Sequence, residues 1–200
     1  MIKNFIFDMG EVLFHFRPKE FVARYNLNED DANLLRHKIF EEEYWTMLDW
    51  GYTTEEELIQ HVCKEVPERL HQTVRDLILR WDDPIIPIEG MADLVKDLKD
   101  RGYGIYLLSN AGPRHKEYFS KIPGSEYFDG IVVSSYEKLI KPDMEIFKLT
   151  LNRFGLKADE CFFIDDNQAN VCGARLVGID GFVFTGIEDL KKVLHEKINY

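Results

Sequence analysis

The chain is poor in cysteine and has no pattern that would use it. Cys63, Cys161 and Cys172 are odd in number and include no CxxC pair. Neither a disulfide framework nor a zinc cluster is therefore indicated. They read as core thiols of a protein kept in a reducing compartment. Long apolar runs are missing as well. The first, Phe5-Ile6-Phe7, stops at Asp8, too early for the apolar stretch of a signal peptide. No run approaches the roughly 20 residues that cross a bilayer. A cytoplasmic location without a membrane partner is the expectation. Positive charge is in deficit: 25 Lys and Arg against 36 Asp and Glu leave a net charge of −11 over 200 residues. Nucleic-acid backbones are held by neutralising cations, so a nucleic-acid partner is not expected. A small anionic ligand is still compatible, given a few cations placed locally. There are no internal repeats and no low-complexity tracts. Net charge bears on solubility and not on assembly, so a monomer is the default expectation.

Five short apolar runs are present, at residues 4–7, 104–108, 131–133 and 161–164, with a weaker one at 182–184. They show little polar alternation, as strands buried on both faces do. Helical patterns lie between them. Residues 91–99 place Leu94, Val95 and Leu98 on one face, with a stop at Gly102. Residues 144–154 align Ile146, Phe147, Thr150, Leu151 and Phe154, with a stop at Gly155. This alternation predicts an α/β fold, a Rossmann-like parallel sheet between helices. Residues 17–83 break the alternation. No strand is evident there, and helical segments read at 18–25, 29–48, 54–65 and 67–81. Thr53 or Thr54 with Glu56 or Glu57 makes a capping-box start for the third. The two prolines of "DPIIP" look like a stiff return to the core. The expected division is a core of residues 1–16 and 84–200 and an all-helical cap of residues 17–83. Such a cap sits over the carboxyl ends of the strands, where open α/β sheets bind ligands.

Polar residues gather at those ends. Asp8 follows the first run, Ser109-Asn110 the second, and Asp165-Asp166 the fourth, while Lys141 precedes Pro142 at the entry of a helix. Taken singly, each is an ordinary turn or helix cap. A parallel sheet would bring them to one edge. Three carboxylates within a few ångströms repel one another unless a cation intervenes. Hard oxygen donors suit Mg²⁺, which takes one or two carboxylates together with substrate phosphate. Ser109 can donate to a phosphate oxygen and Lys141 can neutralise it. A carboxylate nucleophile, a metal and a phosphate cradle together point to phosphoryl transfer through an aspartyl-phosphate.

The segments "FIFDMGEVL", "LLSN", "KPDMEIF" and "FFIDDNQANVCGA" resemble, in this order, the four motifs of the haloacid dehalogenase-like (HAD) phosphohydrolases. The resemblance spans essentially the whole chain, and the helical insert resembles that family's C1 cap. It is strongest to small bacterial phosphatases of sugar phosphates such as α-D-glucose 1-phosphate, which share the D-x-G-x-V first motif. The resemblance implies Asp8 as nucleophile and Mg²⁺ ligand, with the Gly10 carbonyl as a second ligand. Asp166 would bind the metal directly. Asp165 would bind it through water or orient Lys141. Ser109 and the Asn110 backbone N–H would hold the phosphate of a small phosphorylated metabolite, and Lys141 would neutralise it. Residues 11–17 would form a hairpin flap that moves with the cap.

One position departs from the pattern. Most phosphatases of the family carry a second aspartate two residues after the nucleophile, which protonates the leaving oxygen and later activates water. Here that residue is Gly10. General acid–base catalysis contributes about 10²–10⁴-fold, so three outcomes are expected. The substrate has a good leaving group, such as an anomeric sugar oxygen; another side chain stands in; or the protein is a slow enzyme or a binding protein that senses a phosphometabolite. Glu11 and His15 are nearest in sequence, and a histidine's ordinary pKa of about 6.5 suits the task. A mutase is disfavoured by the same gap. Dehalogenation, which uses an aspartate nucleophile without a metal, is disfavoured by Asp165-Asp166. A receiver domain is set aside because the acidic pair follows the lysine here. Within the insert, Tyr44 and Trp45 are expected to face the crevice, Trp45 as a stacking platform for a sugar, with His15 and Arg17 reaching in from the flap.

Overall fold

The apolar runs become the strands of one parallel sheet. The computed structural model describes residues 1–198 and 200. In it β1 (Asn4–Phe7), β2 (Gly104–Ser109), β3 (Gly130–Val133), β4 (Cys161–Asp165) and β5 (Asp180–Val183) lie in the order β3-β2-β1-β4-β5, every neighbouring pair parallel. This is the α/β, Rossmann-like arrangement that the sequence predicts. Alternate side chains of each strand enter opposite layers, following the period of two. Phe5, Phe7, Phe162 and Ile164 join one buried cluster, and Ile6 and Phe163 the other. Both layers are dry, so all of these side chains are apolar until the strands end. The last strand starts at Asp180, two residues before the predicted run, because its pairing with β4 begins at Phe162.

The helices of residues 17–83 are α1 (Pro18–Ala23), α2 (Glu29–Arg36), α3 (Glu43–Trp50), α4 (Glu55–Glu65) and α5 (His71–Arg80), and no strand occurs there among the described residues. The capping box predicted for α4 forms. Thr54 Oγ1 accepts from the Glu57 N–H at 3.2 Å, and the Thr54 N–H donates to Glu57 Oε2 at 2.9 Å. The single helix predicted for residues 29–48 does not form. It breaks through a π-turn at His37–Glu41 and an extended Glu42 (ψ 162°) before α3 begins. The break brings Phe40 and Trp45 together, with ring centroids 4.7 Å apart, in an aromatic cluster with Phe16 and Phe21. Burial of aromatic surface has overridden helix continuity.

Beyond the insertion the chain alternates again. It runs through α6 (Met91–Asp100), the short α7 (His115–Tyr118) and α8 (Ser134–Glu137), then α9 (Met144–Phe154), α10 (Gln168–Leu176) and α11 (Ile187–Ile198). The carboxyl end of α3 docks on the core at α8 and the residue that follows it. Gly51 closes α3 at φ +79°, and a Cβ there would collide with the Ser135 carbonyl. The Ser134 hydroxyl donates to the Asp49 carbonyl, and Trp50 Nε1 donates to the Lys138 carbonyl at 3.2 Å. The cysteines are unpaired, but they are not all core thiols: Cys161 is buried, Cys63 half-buried and Cys172 exposed. Cys172 lies on α10 away from the sheet, where Gln168 Nε2 donates to its sulfur at 3.2 Å. Among the described residues no helix is long and apolar enough to cross a membrane.

Candidate active site

Asp8 is the first residue past β1, yet its backbone is still held by the sheet, through an N–H bond to the Ile164 carbonyl at 2.8 Å. The side chain is therefore set by the most rigid part of the molecule. Ser109 is the last residue of β2 and is 1% exposed. Asn110 faces Lys141 with both ends of its amide. Oδ1 accepts from the Lys141 N–H at 2.9 Å and Nδ2 donates to the Lys141 carbonyl at 3.0 Å. That clamp fixes the backbone from which the lysine projects. Lys141 Nζ then donates to Asp8 Oδ1 and to Asp165 Oδ2, each at 2.7 Å, in a region where the lysine side chain is 1% exposed. The other oxygen of Asp165 accepts from the Asn167 N–H at 2.8 Å and from Asn170 Nδ2 at 3.0 Å. Both Asp165 oxygens are thus engaged, which suits an orienting role. Its neighbour Asp166 is exposed to the crevice.

Oxygens of Asp8, Asp165 and Asp166 lie within 4.8 Å of one another. Among the described residues Lys141 is the one cation paired with them, so with all three carboxyls ionised two negative charges would be in excess. Burial pushes the Asp8 carboxyl up to about 7; Lys141 opposes this and Asp165 reinforces it. Burial also raises Asp166, again with Asp165 adding to it. For Lys141 burial favours the neutral amine, but the two carboxylates outweigh it and hold the pKa above the ordinary value. Repulsion among hard oxygen donors with uncompensated charge is the condition a divalent cation relieves. The donor set therefore fits Mg²⁺, which the cluster of Asp8, Asp165 and Asp166 could hold.

These groups open on a cavity of about 220 Å³. Its floor is Asp8, Ser109, Asn110 and Asp166, and its wall is aromatic: Phe14, Phe16, Trp45, Trp81 and Tyr118. Trp45 faces the cavity as expected. Tyr44 does not, because it stacks on His61 with centroids 3.7 Å apart. His15 and Arg17 are not among the walls either. They are taken up by each other at 3.1 Å, while His15 also meets Glu11 at 3.4 Å and Arg17 meets Glu20 at 3.0 Å. Residues 11–17 do not form a hairpin. A tight turn closes with the Glu11 N–H on the Phe14 carbonyl at 2.7 Å, and Phe14 bridges to Pro87. Phe16 lies beside Gly10, where an added Cβ would meet Phe16 Cβ at 3.7 Å, an ordinary van der Waals contact.

Several cavity groups were not evident from the sequence. Asp49, Glu55 and Arg114 all line the cavity. Asp49 lies one helical turn beyond Trp45 on α3, and that spacing was the available signal. Arg114 meets Asp82 at 3.1 Å and Glu55 at 3.6 Å, joining α4 and the end of the insertion to the loop after β2.

A family model of haloacid dehalogenase-like hydrolases matches residues 2–178. The chain belongs to that family. A sesquiterpene phosphatase of Aspergillus oryzae is 26% identical over 187 residues, covering 92% of this chain and 90% of the relative. A glyceraldehyde 3-phosphate phosphatase of Pyrococcus abyssi is 23% identical over 200 residues, 90% of this chain and 79% of the relative. Among solved structures, a HAD family enzyme of Bacteroides thetaiotaomicron, in complex with magnesium and inorganic phosphate, superposes with a TM-score of 0.72. It is 23% identical and covers 96% of this chain and 99% of its own. At that identity the superposition establishes the shared HAD-like fold.

Proposed function

We propose that this HAD-like hydrolase is a Mg²⁺-dependent phosphatase of a small phosphorylated metabolite, acting through an aspartyl-phosphate on Asp8. The observation that carries the reading is Lys141 bridging Asp8 and Asp165 at 2.7 Å each, with Asp8 opening on a cavity that Ser109 and Asp166 also line. Asp8 Oδ2, the oxygen Lys141 does not hold, is the one available to the metal or to the phosphorus. Ser109 and the Asn110 N–H receive the phosphoryl oxygens. Lys141 offsets the charge that gathers on nucleophile and phosphate, a task electrostatic donors perform well in a dry site. Bound Mg²⁺ would supply further charge neutralisation at the phosphoryl group. Relatives that are phosphatases, and a structural neighbour that binds magnesium and phosphate, support the same reading.

For the substrate we favour a sugar phosphate such as glucose 1-phosphate. Its anomeric oxygen leaves readily, which suits a chain with Gly10 in place of an acid. The cavity is smaller than the about 300–1,000 Å³ of drug-sized sites, in keeping with a small metabolite. The aromatic wall favours a second reading, an apolar alcohol as leaving group, and the Aspergillus oryzae relative is a sesquiterpene phosphatase. We take residues 17–83 as a C1-type cap over the site, and we place the protein in the cytoplasm as a monomer.

Phosphate release from hexose 1-phosphates, hexose 6-phosphates, a prenyl phosphate and 4-nitrophenyl phosphate tests this. Release is expected to need Mg²⁺, to stop with chelator, and to fall at least about 10³-fold in Asp8→Asn, in which the amide is no nucleophile. Phosphate and Mg²⁺ binding without release from any ester would instead mark a phosphometabolite sensor.

A further inference from the structure

Gly10 offers no side chain to protonate the leaving oxygen, while an unassigned carboxyl group, that of Asp49, lines the same cavity. We propose that Asp49, carried by the helical insertion, is the proton donor to the leaving oxygen. The inference rests on the phosphatase reading and adds to it the residue that completes the reaction.

Position is the first argument. Asp49 lines the cavity with Asp8, Ser109 and Asp166, yet it is carried by α3 of the insertion and not by a strand end. A leaving group points away from the nucleophile in an in-line displacement, so the donor has to stand opposite Asp8 and not beside it.

Rigidity is the second. The backbone of Asp49 is tied down by the Ser134 hydroxyl, which also accepts from the Ala111 N–H at 2.9 Å in the loop directly after Ser109-Asn110. Gly51 against Ser135 and Trp50 on Lys138 complete the docking. Opposite, Gly112 lies under Leu48 and Asp49: an added Cβ would come within 3.3 Å of Leu48 Cγ and 3.7 Å of Asp49 Oδ1. The phosphate-binding loop and Asp49 are therefore held in one piece.

Availability is the third. Among the described residues Asp49 has no cation within ion-pair distance. Of the other acids around the cavity, Glu55 meets Arg114 at 3.6 Å and Glu11 meets His15 at 3.4 Å. Glu11 keeps one oxygen, Oε1, buried without a hydrogen-bond partner among the described residues, but it lies on the chain three residues after Asp8 and beside Asp166. Burial raises the Asp49 carboxyl well above the usual carboxylate range, and the charge of Asp8 adds to this, against the Gly112 N–H and the Trp45 indole. That favours the protonated form of Asp49.

The steps balance. Asp8 Oδ forms a bond to phosphorus, and the ester P–O bond breaks. Its electron pair stays on the leaving oxygen, which takes the proton of the Asp49 carboxyl group, giving the free alcohol, the aspartyl-phosphate and an Asp49 carboxylate. Water then attacks phosphorus and gives one proton to Asp49. The bond between phosphorus and Asp8 breaks with its pair returning to the Asp8 carboxylate, and hydrogen phosphate departs.

A series of aryl phosphates of graded leaving-group acidity separates this from a structural role: 2,4-dinitrophenyl, 4-nitrophenyl and phenyl phosphate. Wild-type protein with Mg²⁺ is expected to show kcat/KM nearly independent of leaving-group acidity. A steep dependence in wild type overturns the proposal without any variant. Asp49→Asn is expected to lose about 10²–10⁴-fold on phenyl phosphate and less than about tenfold on the dinitrophenyl ester. Asp49→Ser, smaller and neutral, should give the same split. Equal losses on all three esters, or none, overturn the role of Asp49. Loss of the same split in Glu11→Gln or Glu55→Gln, with Asp49→Asn unaffected, reassigns the donor and also overturns it. If wild type releases no phosphate, or Asp8→Asn releases it undiminished, the phosphatase reading itself has failed, a result distinct from any of these.

Discussion

Two lysines in this molecule each bridge two carboxylates, and only one of the bridges builds a site. Lys141 reaches Asp8 and Asp165 at 2.7 Å each. Lys38, at the π-turn of the insertion, reaches Glu42 at 2.6 Å and Glu65 at 2.5 Å, with His61 beside them. The contact geometry is nearly the same. The difference lies in burial and in the charge left over. The Lys141 side chain is 1% exposed and Asp165 0%, whereas Lys38 is 24% exposed and its partners 25% and 37%. A third carboxylate, Asp166, exposed to the crevice beside them, leaves the group two charges short of neutral when all three carboxyls are ionised. At the surface, Lys38 is joined by His37 and His61, 3.6 Å from Glu42 and Glu65, and water screens the rest. Proximity of opposite charges is common and cheap. A dry, under-neutralised group at the end of three strands is uncommon, and it can attract both a cation and a phosphate.

Removing the two lysines is the most direct way to break the comparison. Lys141→Met leaves Asp8 and Asp165 buried without a cation. Such a loss costs about 3–5 kcal/mol, and the two carboxyls recover part of it by taking up protons. Turnover should fall about 10²–10³-fold or more, the effect of deleting one strong electrostatic donor. Urea unfolding and phosphate release measure the two effects. A variant within about 1 kcal/mol of wild type would mean that the buried bridge is no different in kind from the surface one.

Metal sharpens the contrast. Mg²⁺ at about 100 times its dissociation constant should stabilise the protein by about 2.7 kcal/mol, and chelator should reverse it. The shift should survive Glu42→Gln and vanish in Asp166→Asn. Its pH dependence has a definite sign. The Asp8 carboxyl is raised by folding from 3.8 to about 7, so the native state holds this proton more tightly than the unfolded chain. Metal-free protein therefore loses stability from this group as pH rises from about 4 to about 7. Below about 7 an incoming cation must expel the proton. The Mg²⁺-induced rise in melting temperature should be larger at pH 8 than at pH 6. Equal shifts at both would show that Asp8 does not bind the metal.

The same contrast decides what the sequence made legible. The core site could be read because a parallel sheet sends every strand end to one edge, so Asp8, Ser109, Asp165 and Asp166 needed only strand assignments to be brought together. Asn110 illustrates the limit. Its place beside the phosphate was expected, but the two bonds that clamp the Lys141 backbone follow from a loop geometry no spacing encodes. In the insertion, periodicity marks which face of a helix is apolar without saying what that face meets. Tyr44 and Trp45 are adjacent, and only Trp45 faces the cavity. Asp49 read as one acid among many because its meaning depends on Gly51 and Ser134, which dock α3 on the core. The broken helix at Glu42 was hidden for a similar reason, since long-range aromatic packing had won over a favourable local run.

The smallest expected effect completes the comparison. Lys38→Ala removes the centre of the surface bridge. Its pKa is raised by hydrogen bonds to Glu42 and Glu65, and Glu65 is lowered by the same lysine. Both shifts belong to groups in contact with water, where Coulomb energy is screened and ordering two long side chains offsets most of the gain. The two glutamates left behind can turn into solvent, a relief unavailable to Asp8 and Asp165. We expect the melting temperature to stay within about 2 °C of wild type, with the small change disappearing in high salt, and kcat to be unaltered. A loss as large as that of Lys141→Met would show that neither burial nor surplus charge explains why the buried bridge is the one that forms a site.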